Sequence, residues 1–436
     1  MFPEKDDTEE VRTSQPAPIV FIRKPPLPSE DVRVLRELAE RVRLLADRPI
    51  EKEKERLWRE HNALMPTRPV VFCDPENGWN EIIPPDDLSC RENLAREWEY
   101  ALRKEIFWGQ RMRDDRVITG IFEVSHVYTE TDMGVPITFH RKDAAGSYVW
   151  DAPIREPEDL QKLKFPKIEI NKSATDERLE LAHEVFGGIL RVRRKTVWWW
   201  TLGLTMSLAY LRGMERMMMD MIDAPEMVHQ LMGFLRDSQL KRLDFLEKER
   251  LLHTNTDGTY VGSGGFGWTD EIREKGEDGM VRPENMWGFA ESQETVGISP
   301  AMFEEFVLPY QLPLLEKFGL NCYGCCEPLD SRWKHVTKIP RLRRVSVSPW
   351  ADVRKMADNL QDKYIFSWKP NPSDLARSHF DTDHIRRNIR ETFQITKGCR
   401  VEIIMKDCHT IANSPDRVVD WTRIAKEEAE RAAEGG

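Results

Sequence analysis

Short runs of β-branched and aromatic residues recur along the chain, and segments of helical length separate most of them. Such runs predict buried strands, and amphipathic segments such as SPAMFEEFVLPYQLPLLEKFG at 299–319 predict the helices between them. The eight predicted strands are PVVFCD (69–74), KTVWWWT (195–201), LLHTNTD (251–257), MWGFAES (286–292), LNCYGCC (320–326), RRVSVS (343–348), KYIFSW (363–368) and RVEIIMKD (400–407).

This count and alternation predict an α/β fold, specifically a (β/α)8 TIM barrel. Residues 1–66 read as a polar tail followed by an N-terminal helical arm, and residues 67–430 as the catalytic barrel. The interval 75–194 is too long for one crossover, so it is interpreted as an insertion after the first strand that caps the barrel mouth. Residues 431–436 form a short C-terminal tail.

Composition narrows the class of protein. Of the 436 residues, 40% are hydrophobic and 32% charged, which suits a globular chain with a sizeable core. A net charge of −10 argues against a nucleic-acid partner. The N-terminus lacks the features of a signal peptide and no run is long enough to span a membrane, so a cytoplasmic location without membrane contact is expected.

Polar and aromatic residues stand at the ends of the predicted strands, where barrel enzymes carry their catalytic groups. We predict Asp257 and Glu291 as catalytic residues. Several strand ends carry tryptophans, whose flat faces suit an aromatic ligand. The predicted substrate-binding residues are Asp74, Trp200, Tyr323, Trp350 and Lys369.

Three of the seven cysteines lie within the stretch NCYGCCEP at 321–328. An odd cysteine count without a secretion signal favours free thiols or metal ligands over disulfides. Along a strand Cys325 would face one way and Cys322 and Cys326 the other, unless the chain turns at Gly324. Cys325 is therefore narrowly favoured over Cys326 as a zinc ligand, and Cys322 is interpreted as a core residue.

A second group of candidate ligands follows the last predicted strand, in the sequence KDCHT. Either Cys408 or His409 can bind zinc, and a barrel would bring them to the same mouth as the earlier cysteines. Glu291 or Glu294 supplies a candidate oxygen ligand. The residues leave these choices open.

A glycine-rich segment, GTYVGSGGFGW at 258–268, follows the third predicted strand. It lacks the Gly-Lys-Ser/Thr ending of a phosphate-binding loop and no helix follows its glycines. We interpret it as a tight or mobile loop over the pocket.

Two helical segments, LAYLRGMERMMMDMIDAPEMVHQLMGFL and ISPAMFEEFVLPYQLPLLEKFG, resemble parts of the uroporphyrinogen decarboxylase superfamily, specifically its corrinoid-dependent methyltransferase branch. YGCC is similar to the His-x-Cys-Gly motif of that branch, with Tyr323 at the histidine and Cys325 at the cysteine. CHTIANSPDRVVDW places Cys408 at the second cysteine of the branch. The resemblance covers about residues 195–430, and no RQAGR-like segment of the decarboxylases is present.

The resemblance implies a zinc enzyme that moves a methyl group from a methoxylated, aromatic substrate to the Co(I) corrinoid of a partner protein, as the methyltransferase of an O-demethylase. Since Tyr323 replaces a ligand histidine, the third zinc ligand would be Glu291, Cys326 or His409. The alternatives are methyl transfer from a methyl-corrinoid to a thiol, a uroporphyrinogen decarboxylase-like lyase, and a non-catalytic zinc barrel. The sequence does not decide whether the chain forms a homodimer.

Overall fold

The computed structural model describes residues 10–12, 27–141 and 148–434. The strands are β1 (Glu10–Arg12), β2 (Val70–Cys73), β3 (Ile121–Val124), β4 (Tyr128–Glu130), β5 (Thr138–Arg141), β6 (Tyr148–Asp151), β7 (Ile168–Ile170), β8 (Arg191–Arg194), β9 (Tyr260–Val261), β10 (Gly265–Phe266), β11 (Trp287–Ala290), β12 (Leu320–Tyr323), β13 (Leu342–Val347), β14 (Ile365–Trp368) and β15 (Arg400–Met405). The helices are α1 (Ser29–Ala46), α2 (Pro49–Asn62), α3 (Trp79–Ile82), α4 (Asn93–Phe107), α5 (Lys172–Phe186), α6 (Thr205–Arg212), α7 (Met214–Asp223), α8 (Pro225–Lys248), α9 (Pro300–Phe306), α10 (Leu308–Leu315), α11 (Trp333–Val336), α12 (Val353–Leu360), α13 (Ser373–Ala376), α14 (Thr382–Ile395) and α15 (Asp416–Glu434). None of the helices in these ranges combines the length and apolar character that a membrane crossing requires.

Six strands form one parallel sheet in the order β11-β12-β13-β14-β15-β2. The first strand of this set in the chain, β2, pairs with the last, β15, in a register that joins Glu402 to Val70 and Met405 to Cys73. Because all six strands run the same way, their C-terminal ends meet along one edge. We call this the C-terminal edge of the sheet.

The α/β class is confirmed, and six of the eight predicted strands are present. The predictions of strands at 195–201 and 251–257 were wrong, since neither range forms a strand. Instead β8, just before the first range, pairs in parallel with β3 as a separate sheet. Among the described residues the hydrogen-bonded sheet therefore does not close into eight strands, and the predicted TIM barrel is not confirmed.

Local side-chain hydrogen bonds explain why 251–257 is not a strand. Thr254 Oγ1 accepts a hydrogen bond from the Thr256 backbone (3.2 Å), and Asp257 Oδ1 accepts one from the Thr259 backbone (3.0 Å). Such turns compete with ladder pairing. The side chain of Asn255 makes the hydrogen bonds to β11 that a neighbouring strand would make through its backbone. Its Oδ1 accepts from the Trp287 N–H (2.8 Å), and its Nδ2 donates to the Trp287 carbonyl oxygen (3.0 Å).

The glycine-rich segment forms the β9–β10 hairpin. This hairpin packs against the face of the sheet that carries the side chains of Cys322 and Ile404, which we call the inner face. A Cβ atom on Gly262 would lie 2.9 Å from Cys322 Cβ, and one on Gly264 would lie 2.4 Å from Ile404 Cγ2. Gly264 also has a φ of +121°, which side chains rarely tolerate. Glycine is therefore required for the hairpin to approach the strands this closely.

A buried ion pair crosses the inner face of the sheet next to this hairpin. Arg344 Nε lies 2.9 Å from Glu402 Oε1, and His61 Nε2 lies 3.2 Å from Glu402 Oε2. Burial opposes ionisation, yet the Arg344 guanidinium and His61 hold the pKa of Glu402 well below its usual value. Asn62 Oδ1 accepts a further hydrogen bond from Arg344 (2.6 Å), which ties α2 to the sheet.

Candidate active site

A turn after β12 positions the two adjacent cysteines. Gly324 has a φ of +90°, so the alternation of the strand ends there. Glu327 fixes the turn, since its carboxylate accepts hydrogen bonds from the backbone N–H groups of Cys325 (2.9 Å) and Ser292 (2.8 Å). As a result the Sγ atoms of Cys325 and Cys326 lie 3.6 Å apart.

The cysteines meet residues from two other elements at the C-terminal edge of the sheet. Lys406, directly after β15, has its Nζ 3.8 Å from Cys325 Sγ and 3.0 Å from Asp407 Oδ1. Cys326 Sγ lies 3.6 Å from Asp407 Oδ2, and Ser263 of the β9–β10 hairpin donates to Cys325 Sγ (3.3 Å). We call Cys325, Cys326, Lys406, Asp407 and Ser263 the thiol–lysine cluster.

Charges in the cluster favour a thiolate beside an ammonium. The hydrogen bond from the Cys326 thiol and the charge of Lys406 lower the pKa of Cys325, although burial opposes this. The same hydrogen bond, together with burial, raises the pKa of Cys326. Burial disfavours the charged form of Lys406, but the neighbouring acidic groups raise its pKa. Cys325 is therefore the more acidic thiol of the pair.

Two acids after β2 border the cluster. Glu76 Oε2 accepts a hydrogen bond from the Asp407 backbone (3.1 Å), and its Oε1 lies 3.7 Å from Lys406 Nζ. Burial raises the pKa of Glu76 to about 7. Asp74, predicted to bind substrate, accepts hydrogen bonds from Trp79 Nε1 (2.8 Å) and the Glu76 backbone (3.1 Å). Asp74 thus shapes the turn that presents Glu76.

Cys408 and His409, the two predicted ligands after the last strand, make contacts other than those of the thiol–lysine cluster. Asp407 has a φ of +59°, which turns the chain directly after Lys406. The buried Cys408 thiol contacts the Lys406 carbonyl oxygen (3.6 Å), and burial raises its pKa. His409 is exposed. Within the described ranges, no hydrogen bond joins either residue to Cys325 or Cys326.

Glu291 is fully buried beyond the end of β11. Its Oε2 accepts a hydrogen bond from the Gln293 backbone (3.1 Å), and its Oε1 has no partner among residues that the structure describes. Burial and the charges of Glu294 and Glu327 raise its pKa well above the usual value. A Cβ on Gly203 would lie 2.3 Å from Glu291 Oε1, so glycine is needed there. Burial and the neighbouring carboxylates therefore favour the neutral form of Glu291.

Asp257 and Lys369 lie in contrasting surroundings. Asp257 lies 2.9 Å from Lys195 Nζ and 2.6 Å from an Arg193 nitrogen. Burial opposes its ionisation, but Lys195 and Arg193 lower the pKa of Asp257 to about 2. Lys369 is buried against Ser367, whose carbonyl oxygen accepts its hydrogen bond (3.1 Å), and burial lowers its pKa to about 8.

The three predicted aromatic substrate contacts differ in exposure. Tyr323 is fully buried and its hydroxyl donates to Gln311 Oε1 (2.8 Å), so the ring faces α10. Trp350 is 70% exposed beyond β13. Trp200 is 43% exposed and its ring lies edge-on to Phe289, 5.5 Å away. The two tryptophans are thus accessible to a ligand and the tyrosine is not.

The part of the chain that the structure describes holds no group of three or more His, Cys, Asp or Glu side chains arranged to bind a metal ion. The nearest donor set is Cys325, Cys326 and Asp407, with Sγ–Sγ and Sγ–Oδ2 separations of 3.6 Å each. Thiolate ligands of a tetrahedral zinc, bound at about 2.3 Å, are separated by about 3.8 Å. The donors suit zinc in type and the two thiols suit it in spacing, but Asp407 is paired with Lys406, and the described residues do not form a completed site.

Four residues at this site were not predicted from the sequence: Lys406, Asp407, Glu76 and Ser263. The signal for Lys406 was present, because Glu402 and Ile404 face the inside of the sheet and strand periodicity places Lys406 on the same side. Ser263 and Glu76 reach the site through a hairpin and a turn. Neither lies on a strand, so alternation of side chains could not have predicted its position.

No protein-family model matches this chain, and no curated protein matches it. Among solved structures the chain is similar to a methyltransferase from Methanosarcina mazei, with a TM-score of 0.43 and 10% sequence identity. The match covers 86% of this chain and 97% of that one. A similarity of this degree carries no functional assignment.

Proposed function

We propose that the protein is a methyltransferase and that the thiol–lysine cluster is its reacting centre. The observation that supports this is the convergence of Cys325, Cys326, Lys406 and Asp407 at the C-terminal edge of the sheet. The proposed methyl donor is a methoxylated aromatic compound. The proposed acceptor is the Co(I) corrinoid of a partner protein.

The chemistry of ether cleavage explains why such a cluster is useful. The bond between the methyl carbon and oxygen breaks, its electron pair stays on oxygen, and the acceptor supplies the pair for the new bond to carbon. The departing oxygen needs a positive charge or a proton, because it is otherwise a poor leaving group. Lys406 Nζ, 3.7 Å from Glu76 Oε1, carries a positive charge that can stabilise the negative charge developing on that oxygen.

We include zinc in this proposal, with Cys325, Cys326 and Asp407 as the residues that would hold it. When bound, zinc would act as a Lewis acid toward the departing oxygen. Cysteine binds zinc in its deprotonated form, so the lowered pKa of Cys325 favours zinc binding. Cys408 contacts the Lys406 carbonyl oxygen instead and is left out of this set.

Other residues are assigned supporting roles. Trp200 and Trp350 offer exposed aromatic faces to the substrate ring. Glu291, whose pKa is raised by burial, can donate a hydrogen bond when its buried carboxyl group is protonated. Glu327 holds the backbone of Cys325 and therefore positions the thiol rather than contacting substrate.

The activity test mixes the full chain with a corrinoid protein reduced to Co(I) and a panel of methoxylated aromatics, and follows the Co(I) absorbance. We expect that absorbance to fall with at least one donor. Lys406→Met should slow the reaction by roughly 100-fold, the usual range for loss of one group that stabilises a developing charge. Lys355→Met is the matched control, since Lys355 lies on the exposed surface. No change with any donor would contradict the proposal.

Zinc content is tested separately by elemental analysis of the purified protein. We expect one equivalent in the wild type, and loss in Cys325→Ala and in Asp407→Ala. Cys408→Ala should keep the metal, which distinguishes this ligand set from the one that the sequence resemblance implies. Full retention in a Cys325→Ala/Cys326→Ala double variant would rule out the proposed donors.

A further inference from the structure

A groove of about 710 Å³ lies at the end of the sheet opposite the thiol–lysine cluster. It is formed where β2 and β15 begin, between the C-terminal end of α14 and the last turns of α15. No member of the thiol–lysine cluster lines it. Its volume lies within the range of about 300 to 1,000 Å³ that is typical of small-molecule sites.

The wall of this groove is basic, although the whole chain carries a net charge of −10. Among the described residues that line it, one is acidic, Glu428, and five are basic: Arg68, Arg390, Lys397, Arg400 and Arg431. A concentration of positive charge in an otherwise acidic protein favours an anionic ligand.

Two of the basic side chains are already neutralised by buried carboxylates. Arg390 binds both oxygens of Glu428 (2.9 Å each). Arg68 binds both oxygens of Asp115 (2.7 Å each). Glu428 also accepts a hydrogen bond from Arg386 (2.8 Å), so its single charge is shared between two guanidinium groups. The one carboxylate of the wall therefore has no charge to spare for the other arginines.

Arg400 and Arg431 keep positive charges that no carboxylate neutralises. Arg400 donates to the carbonyl oxygens of Leu64 (2.6 Å) and Gly398 (3.2 Å), the second bond at the exposed surface. These bonds hold the guanidinium group in place without cancelling its charge. Arg431 is exposed one helical turn beyond Glu428, and within the described ranges no carboxylate oxygen lies within 4 Å of its guanidinium nitrogens.

The C-terminal ends of α14 and α15 also border the groove and oppose an anion. A helix C-terminus carries about half a negative charge, because its last carbonyl groups have no partner within the helix. The two ends together offset about half the charge of Arg400 and Arg431. The potential in the groove therefore stays positive.

We propose that this groove binds a phosphorylated small molecule, with the phosphate held by Arg400 and Arg431. A phosphate monoester has up to two negative charges and three terminal acceptor oxygens, so it can bond both guanidinium groups at once. The organic part would contact the apolar residues of the wall, which are Pro66, Pro69, Val401, Ala432 and Ala433. The site does not depend on methyl transfer, so its failure and the failure of the proposed function are distinguishable.

Butyl phosphate is the probe, titrated into the full chain by calorimetry at low ionic strength, where exposed charges are least screened. Butyrate has a similar apolar chain with a single charge, and inorganic phosphate has the charge without the chain. We expect saturable binding of butyl phosphate and weaker binding of both analogues. Arg400→Met and Arg431→Met should each weaken butyl phosphate binding by about tenfold, as expected for loss of a hydrogen bond to a charged group.

Arg423→Met is the matched control, because Arg423 lies on the same helix as Arg431 but does not line the groove. It removes the same charge and should leave binding unchanged. Absence of butyl phosphate binding at millimolar concentration would overturn the proposal, as would wild-type affinity in Arg431→Met. Equally tight butyrate would rule out a phosphate site, and equally tight inorganic phosphate would rule out the organic part. If Arg400→Met fails to fold, the exposed Arg431→Met still decides the outcome.

Discussion

Lys406 Nζ lies 3.8 Å from Cys325 Sγ, although the two residues are 81 positions apart in the chain. The thiol follows β12 and the ammonium follows β15, and these strands are separated in the sheet by β13 and β14. Their side chains meet because parallel strands end along one edge and both loops turn inward. The positive φ values of Gly324 and Asp407 mark those two turns.

The thiol–ammonium contact predicts an effect on thiol reactivity. Removing an opposite charge at this range typically raises a thiol pKa by one unit or more. In metal-free protein, Lys406→Met should therefore shift the pH midpoint of Cys325 alkylation by iodoacetamide upward by about one unit, measured by peptide mass spectrometry. Lys355→Met, on the exposed surface, should leave the midpoint unchanged. An unchanged profile in Lys406→Met would show that the ammonium does not stabilise the thiolate.

Six strands were predictable from the sequence because each lies in a short run of strand-forming or apolar residues between helical segments, and almost all of their residues are buried. The runs 195–201 and 251–257 were predicted on the same grounds, but neither forms a strand, and side-chain hydrogen bonds account for the second. In the second run, the side chains of Thr254 and Asp257 accept hydrogen bonds from backbone N–H groups two residues further along. The side chain of Asn255 accepts one from the backbone of Trp287 in β11. Composition alone does not show that competition, which depends on where the neighbouring backbone lies.

The candidate site was predictable in part. Cys325 and Cys326 were expected at a strand end, but alternation placed them on opposite sides, and Gly324 overrides that rule. Lys406 was open to prediction from the periodicity of β15. Glu76 was not, because its contact with Lys406 depends on how β2 pairs with β15.

The buried ion pair of Arg344 and Glu402 should dominate the stability of the sheet interior. Arg344→Met removes the guanidinium that balances the charge of the buried Glu402, and breaking a buried ion pair in this way typically destabilises a protein by about 3–5 kcal/mol. Urea unfolding monitored by circular dichroism measures this loss. The double variant Arg344→Met/Glu402→Gln should recover part of it. If the double variant is as unstable as the sum of the single changes, the pair contributes no coupling energy.

The fit of the glycine hairpin to the sheet predicts a contrast between two glycines. Gly264→Ala should destabilise the fold by roughly 2–4 kcal/mol, since its Cβ would overlap Ile404 and its φ is positive. Gly279→Ala has a positive φ but no atom within 4 Å of its Cβ, so it should cost about 1 kcal/mol. Thermal unfolding of both variants checks the difference. Equal losses would mean that the hairpin is free to move away from β15.

His126 should make stability fall in mild acid. Its Nδ1 lies 2.8 Å from Thr196 Oγ1, and its ring centroid lies 5.9 Å from that of His253. Burial, with the charge of Arg194, lowers the pKa of His126 to about 4, against 6.5 when unfolded. As the pH falls from 6.5 to 4 the unfolded chain therefore binds the proton first, and stability decreases by up to about 1.4 kcal/mol per pH unit.

The measurement is the free energy of unfolding in urea at several pH values between 6.5 and 4. His126→Asn removes the titrating ring, so the fall in stability across this window should be shallower than in the wild type. His379→Asn is the matched control, because His379 is exposed, and it should keep the wild-type slope. A wild-type slope in His126→Asn would place the pH dependence on other groups. The first of these is His253, whose pKa is lowered by burial in the same direction. Asp114 is not a candidate, because burial raises its pKa to about 6 and its protonation in the folded protein opposes the trend of His126.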